Sequence, residues 1–143
     1  MTLHLVKLCV GVDTVDELRD HVARRLKQMR RSAGTPEQTH TTRMTPRRAD
    51  ELLDGGSLYW VIRGHIQVRQ RLLAVRPFTD TGGIGRCRLV LEPKLVETHW
   101  QPRRPFQGWR YLEAKDAPSD LADGPAADIP VRLRRELVEL GLL

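Results

Sequence analysis

The chain has 143 residues and a mass of 16.4 kDa, room for one compact domain over residues 1–143 and too little for two. Its 40% apolar and 29% charged content is that of a globular protein, and no apolar run is long enough to span a membrane. A net charge of +6 favours anionic partners, while two cysteines supply neither a disulfide framework nor a zinc site. A reducing cytoplasm is therefore the expected compartment. The opening residues, interrupted by His4 and Lys7, do not read as a secretory signal.

Leu3 to Val10 reads as a first strand, with Leu3, Leu5 and Lys7 on one face and His4, Val6, Leu8 and Val10 on the other. Thr14-Val-Asp-Glu17 has the form of a capping box, in which a hydroxyl and a carboxylate satisfy free amide donors at a helix start. Val15, Leu18, Val22, Leu26 and Met29 then recur at three- and four-residue steps, the stripe of an amphipathic helix. Gly34 and Pro36 predict a surface loop over residues 32–41. A second, short helix is predicted from Pro46 to Asp54, with Thr45 as N-cap and Gly55-Gly56 as its stop.

Leu58 to Val75 is strand-rich and is broken at Arg63-Gly64, either as one bent strand or as two joined by a bulge. Its second piece places Ile66, Val68, Gln70, Leu72 and Ala74 on one face and His65, Gln67, Arg69, Arg71 and Leu73 on the other. Pro77 is expected to end it. After the turn residues 79–83, Gly85 to Leu91 returns as the second arm of a hairpin. Leu95 to Trp100 and Trp109 to Leu112 are further short strands, residues 116–128 a loop over the surface, and Pro130 opens a terminal helix stopped by Gly141. The sum is an α+β domain: a strongly bent, mostly antiparallel sheet or small β-barrel flanked by about three helices.

Catalytic signatures are missing. The chain has no Gly-x-Ser-x-Gly elbow, no phosphate-binding Gly-x-x-x-x-Gly-Lys loop and no His-Glu-x-x-His pair. The five histidines are scattered, and none sits at metal-ligand spacing from a cysteine or carboxylate, so no catalytic residue, metal or cofactor is assigned. Cys9 and Cys87 lie on predicted strands among apolar neighbours, as inert thiols do.

Binding chemistry is better represented. The basic excess lies in residues 43–115, whose net charge is +7, and all seven aromatics lie there too. Cations that neutralise phosphate, interleaved with rings that stack on bases, suit nucleic acid. Arg43, Arg47 and Arg48 surround the start of the short helix, where free amides favour an anion. Gln67, Arg69 and Arg71 alternate along one strand face, and Arg103, Arg104 and Arg110 surround Phe106 and Trp109. On this reading the arginines meet phosphate, Trp60 or Trp109 stacks a base, and Gln67 or Gln70 reads a base edge. The plainer alternative is that the aromatics fill a β-rich core and the arginines solvate it.

The segment 42–64, Thr-Arg-Met-Thr-Pro-Arg-Arg-Ala-Asp-Glu-Leu-Leu-Asp-Gly-Gly-Ser-Leu-Tyr-Trp-Val-Ile-Arg-Gly, resembles a bacterial family known as domain of unknown function 1489. The resemblance continues through Ile66-Gln-Val-Arg-Gln-Arg71, Arg-Pro-Phe-Gln-Gly-Trp-Arg-Tyr at 104–111, the opening Leu-His-Leu-Val-Lys-Leu-Cys-Val-Gly and the closing Leu-Gly-Leu-Leu. It implies no activity and carries no site residues. A short helix, a glycine stop and a long bent strand are also similar in pattern to the ASCH and EVE groups of PUA-like domains. That likeness implies a closed or nearly closed small barrel that often binds RNA or modified bases, with Pro46–Gly55 as a helix at its mouth and Leu58–Val75 as its first long strands. The expected function is binding of RNA or single-stranded nucleic acid. The alternatives are an enzyme on a small anionic or nucleotide-like substrate, with His65 or Asp50 as acid–base group, and a protein-interaction module.

Overall fold

The structure is a computed structural model that describes residues 2–31 and 36–123. The predicted terminal helix at 130–141 lies outside the described residues. Seven strands form one mixed sheet: β1 (Leu3–Leu8), β2 (Gln38–Thr42), β3 (Ser57–Ile62), β4 (His65–Thr79), β5 (Gly85–Leu91), β6 (Val96–Pro102) and β7 (Trp109–Glu113). Among the described residues two α-helices accompany it, α1 (Val15–Arg31) and α2 (Ala49–Leu53). The strand order is β2-β5-β4-β3-β1-β7, with β6 branching from β4. Every pairing is antiparallel except β1 with β3, whose connection carries α1, β2 and α2. The arrangement is α+β.

The sheet does not close into a barrel, because β2 and β7 end the order without pairing each other. It curls so far that the ends still meet through side chains. Trp109 Nε1 on β7 donates to the Met44 carbonyl just past β2 (2.9 Å), and the Arg47 and Arg48 N–H groups donate to the Tyr111 hydroxyl (3.0 and 3.2 Å). This seam of side-chain bonds stands where a closed barrel would have a ladder.

Each face of the sheet has its own core. Leu3, Leu5, Leu58, Trp60, Val68, Leu72, Leu89 and Leu91 pack with Val15, Leu18 and Val22 of α1 and Leu52 of α2. Val6, Tyr59, Val61, Ile66 and Leu112 form a smaller cluster on the other face, joined by Leu8, Phe106 and Ala117. Strand alternation sorts neighbours between the two.

Several predicted elements are revised. One arm of the capping box is formed, with the Glu17 N–H donating to Thr14 Oγ1 (3.1 Å), while Glu17 Oε2 accepts from the Asp13 N–H (3.0 Å) instead of that of Thr14. Residues 38–42 are not loop but strand β2, laid antiparallel on β5. The second helix starts at Ala49 rather than Pro46, because Tyr111 takes the amides that a Thr45 cap would have satisfied. Arg63-Gly64 is neither a bend nor a bulge but a two-residue hairpin joining Ile62 to His65, with both residues at positive φ (49° and 80°). Pro77 lies inside β4 opposite Cys87 instead of ending the strand. Residues 116–123 do not merely lie over the surface: Leu121 is buried, and Asp120 bridges to Thr98 and pairs with Arg69.

Candidate nucleic-acid interface

Lys7 extends the Leu3–Leu5 face of β1 to the end of the strand, where the apolar core gives out, and its register partner on β7 is Trp109. Gly108, at φ 69°, turns the chain into β7 and sets the Trp109 ring beside the seam. Across it, β2 runs out into Arg43 and Met44. Lys7, Thr42, Arg43, Met44, Arg86 and Trp109 thus line a cleft of about 470 Å³. Three cations line it and, among the described residues, no carboxylate does. Arg86 is held by Asp80, whose carboxyl that guanidinium keeps below the usual range; Arg43 makes no ion pair among the described residues.

Trp109 is half-buried, edge-on to Tyr111 with ring centroids 4.9 Å apart. Arg47 and Arg48 follow on the exposed turn into α2. Arg48 is paired to Glu51 and its guanidinium lies 5.4 Å from the Tyr111 ring centre, so Arg47 is the freer charge of the two. The amides of both residues are spent on Tyr111, which removes the helix-start anion site that the sequence suggested.

The remaining predicted residues do not share this cleft. Trp60 is buried in the cluster beneath α1, its Nε1 donates to Gln70 Oε1 (2.9 Å), and it is not part of this lining. Gln70 is fully buried: its amide donates to Gln38 Oε1 (2.6 Å) and to the Glu92 carbonyl (2.9 Å), and its oxygen accepts from Trp60 and Gln38. Gln67 is the extra residue of a bulge, between the pairs Trp60–Val68 and Val61–Ile66, and its amide donates to the Ile62 carbonyl (2.7 Å). None of the three is placed to touch a base. That correction follows from burial on both faces of β3 and β4, between β1, β5 and β6.

Arg69 lies on the opposite side of the sheet, with Nε and Nη2 on the Asp120 carboxylate (both 2.8 Å) and Nη1 on Ser57 Oγ (3.0 Å). Arg71 follows two residues on, exposed. Arg110, opposite Val6 in the register, faces away from Trp109; its guanidinium and that of Arg103 sit 5.0 and 5.8 Å from the Phe106 ring centre. Arg104 is exposed on the loop between. The twelve predicted residues therefore divide among a cleft, the core and a second face, and no single basic surface unites them. His65 stacks obliquely on Trp100, and neither it nor Asp50 lines this cleft. Lys7, Thr42, Met44 and Arg86 join the lining without having been singled out in the sequence. For Lys7 the signal was a lysine continuing the most apolar face of the first strand.

A family model described as Protein of unknown function (DUF1489) matches residues 5–143. The chain belongs to this family. No curated protein matches the DUF1489 chain, and no solved structure does. No described helix is long and apolar enough to cross a membrane.

Two histidines, His4 buried and His40 half-buried, give the fold a pH dependence. Burial, reinforced by the Arg69 charge, holds His4 below the usual histidine range; its Nδ1 accepts the Ser57 N–H (3.0 Å). Burial, with Lys7 and Arg25 adding to it, pushes His40 down from 6.5 to about 4. Both rings stay neutral in the fold while the unfolded chain takes up the protons, so stability present above pH 6.5 is lost as pH falls toward 4. The His40 share is roughly 3 kcal/mol. Urea denaturation at neutral and mildly acid pH is expected to show this loss, and His40→Phe to flatten it. The carboxyl of Asp120, held low by its bonds to Arg69, adds its own loss only at lower pH still.

Proposed function

We propose that this DUF1489 protein binds single-stranded nucleic acid, RNA foremost, at the cleft along the seam. Lys7, Arg43 and Arg47 meet phosphates, and the Trp109 ring offers the stacking surface. The observation that carries the reading is the meeting of Lys7, Arg43 and Trp109 around about 470 Å³ of space with no lining carboxylate among the described residues. Cations without counter-charges in a concave site raise the local potential for an anion, and a ring at the rim accepts any base face. The curled sheet, with α2 beside the opening, supports the PUA-like comparison as part of the same reading, and the cytoplasm remains the compartment proposed with it.

Fluorescence anisotropy with labelled single-stranded RNA, single-stranded DNA and duplexes, at roughly 50 and 200 mM salt, tests this. Trp109→Ala is expected to weaken single-strand binding by about 1–3 kcal/mol. Trp109→Phe, which keeps a ring and loses only the bond to Met44, retains most of it. Arg43→Ala flattens the logarithmic salt slope by about 0.7, while Arg71→Ala on the other face changes nothing. Binding that disappears at the higher salt for every probe, or that is indifferent to Arg43 and Trp109, refutes the proposal.

A further inference from the structure

Lys7 also borders a second cleft, of about 280 Å³, enclosed between α1 and the strands β1 and β2. Its inner wall is apolar, with Leu18 and Val22 of α1 and Trp60 of β3. Lys7 and Arg25 bring positive charge to it, and among the described residues no carboxylate lines it. His40 lies in this lining with its ring at 88° to Trp60 and centroids 5.1 Å apart. Its Nε2 is the one buried side-chain polar atom among the described residues that has no hydrogen-bond partner.

We propose that this cleft binds a small organic anion: a carboxylate or phosphomonoester carried on a ring or short hydrocarbon body. The charged head meets Lys7 and Arg25, and the body lies against Leu18, Val22, Trp60 and the His40 ring. An inorganic ion satisfies only the first of these conditions, and a neutral apolar molecule only the second. A mostly apolar pocket with a few convergent polar groups is the usual build of a small-molecule site. Metal binding fits the cleft poorly. Two cations border it, and although Cys9 and His21 line it with His40, no described group of three such side chains can hold a metal. Burial also pushes the Cys9 thiol up to about 11, which keeps it protonated.

The site is distinct from the seam cleft, and its test separates the two. The full chain is titrated with phenyl phosphate and with benzoate, following the Trp60 and Trp109 indole resonances and the His40 imidazole nitrogens by NMR. Inorganic phosphate and benzyl alcohol serve as the single-feature controls. At least one aromatic anion is expected to shift Trp60 and His40 saturably, with each control at least tenfold weaker. Arg25→Ala, on an exposed helical position, weakens it about tenfold, and Arg43→Ala leaves it unchanged. The proposal is overturned if neither anion shifts these resonances, if benzyl alcohol does so equally, or if Arg25→Ala has no effect. A shift at Trp109 alone, lost in Arg43→Ala, also overturns it while leaving the seam reading intact.

Discussion

Gln70→Leu is expected to destabilise the fold by about 3 kcal/mol while leaving its compactness unchanged. Leucine fills nearly the same volume, so the loss comes from polarity. The Trp60 indole N–H, the Glu92 carbonyl and the Gln38 amide all lose a partner, and the first lies in a fully covered part of the core. Leaving a buried donor unpaired costs more than making the bond gains, because nothing replaces the water given up on folding. Urea unfolding followed by tryptophan fluorescence reads the change as a lower midpoint with an unaltered slope. Gln38→Leu, at the partly exposed end of the network, is expected to cost about 1 kcal/mol. A Gln70→Leu variant as stable as the parent would show that the amide network is not what holds β3, β4 and β2 together.

Gly56→Ala is expected to be worse, about 3–5 kcal/mol, enough to lower Tm by roughly 10 °C in a chain of this size. The Gly56 N–H donates to the Leu52 carbonyl (2.9 Å) and its carbonyl accepts from Leu72 (3.0 Å). The backbone of β1 passes directly over it. A methyl at this position falls far inside contact distance of the Leu3 and Leu52 carbonyl oxygens. Both are backbone atoms, so relief requires moving β1 or the last turn of α2. Gly55→Ala is the informative control: φ is 86° but the space is open, and the cost is only the left-handed penalty of about 1–2 kcal/mol. Equal losses at the two positions would mean that backbone conformation, and not the close approach of β1, dictates glycine here.

Where local chemistry and tertiary packing agree, the sequence is legible. The Thr14–Glu17 box starts α1 within a residue of its observed start, and Gly85 to Leu91 is β5 to the residue. Strand β2 escaped because Gln38-Thr-His-Thr-Thr42 has no apolar alternation; its strand character is supplied by the β5 ladder. The Arg63-Gly64 hairpin escaped because arginine at positive φ carries no turn signature. The site was legible only in pieces. Arg43 and Trp109 were visible as a cation and a ring, but 66 positions separate them, and only the curl of the sheet makes them neighbours. Gln70 was misread against its own pattern: it shares a face with Val68 and Leu72, and that company already marked it as interior. At Gln67 the bulge breaks the two-residue period and turns Ile66 and Val68 to opposite faces, which no count along the strand reveals.

The seam bears on motion as well as on shape. Elsewhere the strands are zipped by backbone ladders, whereas β2 and β7 are tied by Trp109 and Tyr111 to a short turn. Three side-chain bonds can part without disturbing a single ladder. Residues 43–48 are therefore tied to β7 by side chains alone, while buried Pro46 and the bond between Thr45 and Cys87 hold them on the other side. A strand of nucleic acid held by Arg43 on one side and Trp109 on the other would act as a clasp, its grip adding to the bonds across the seam.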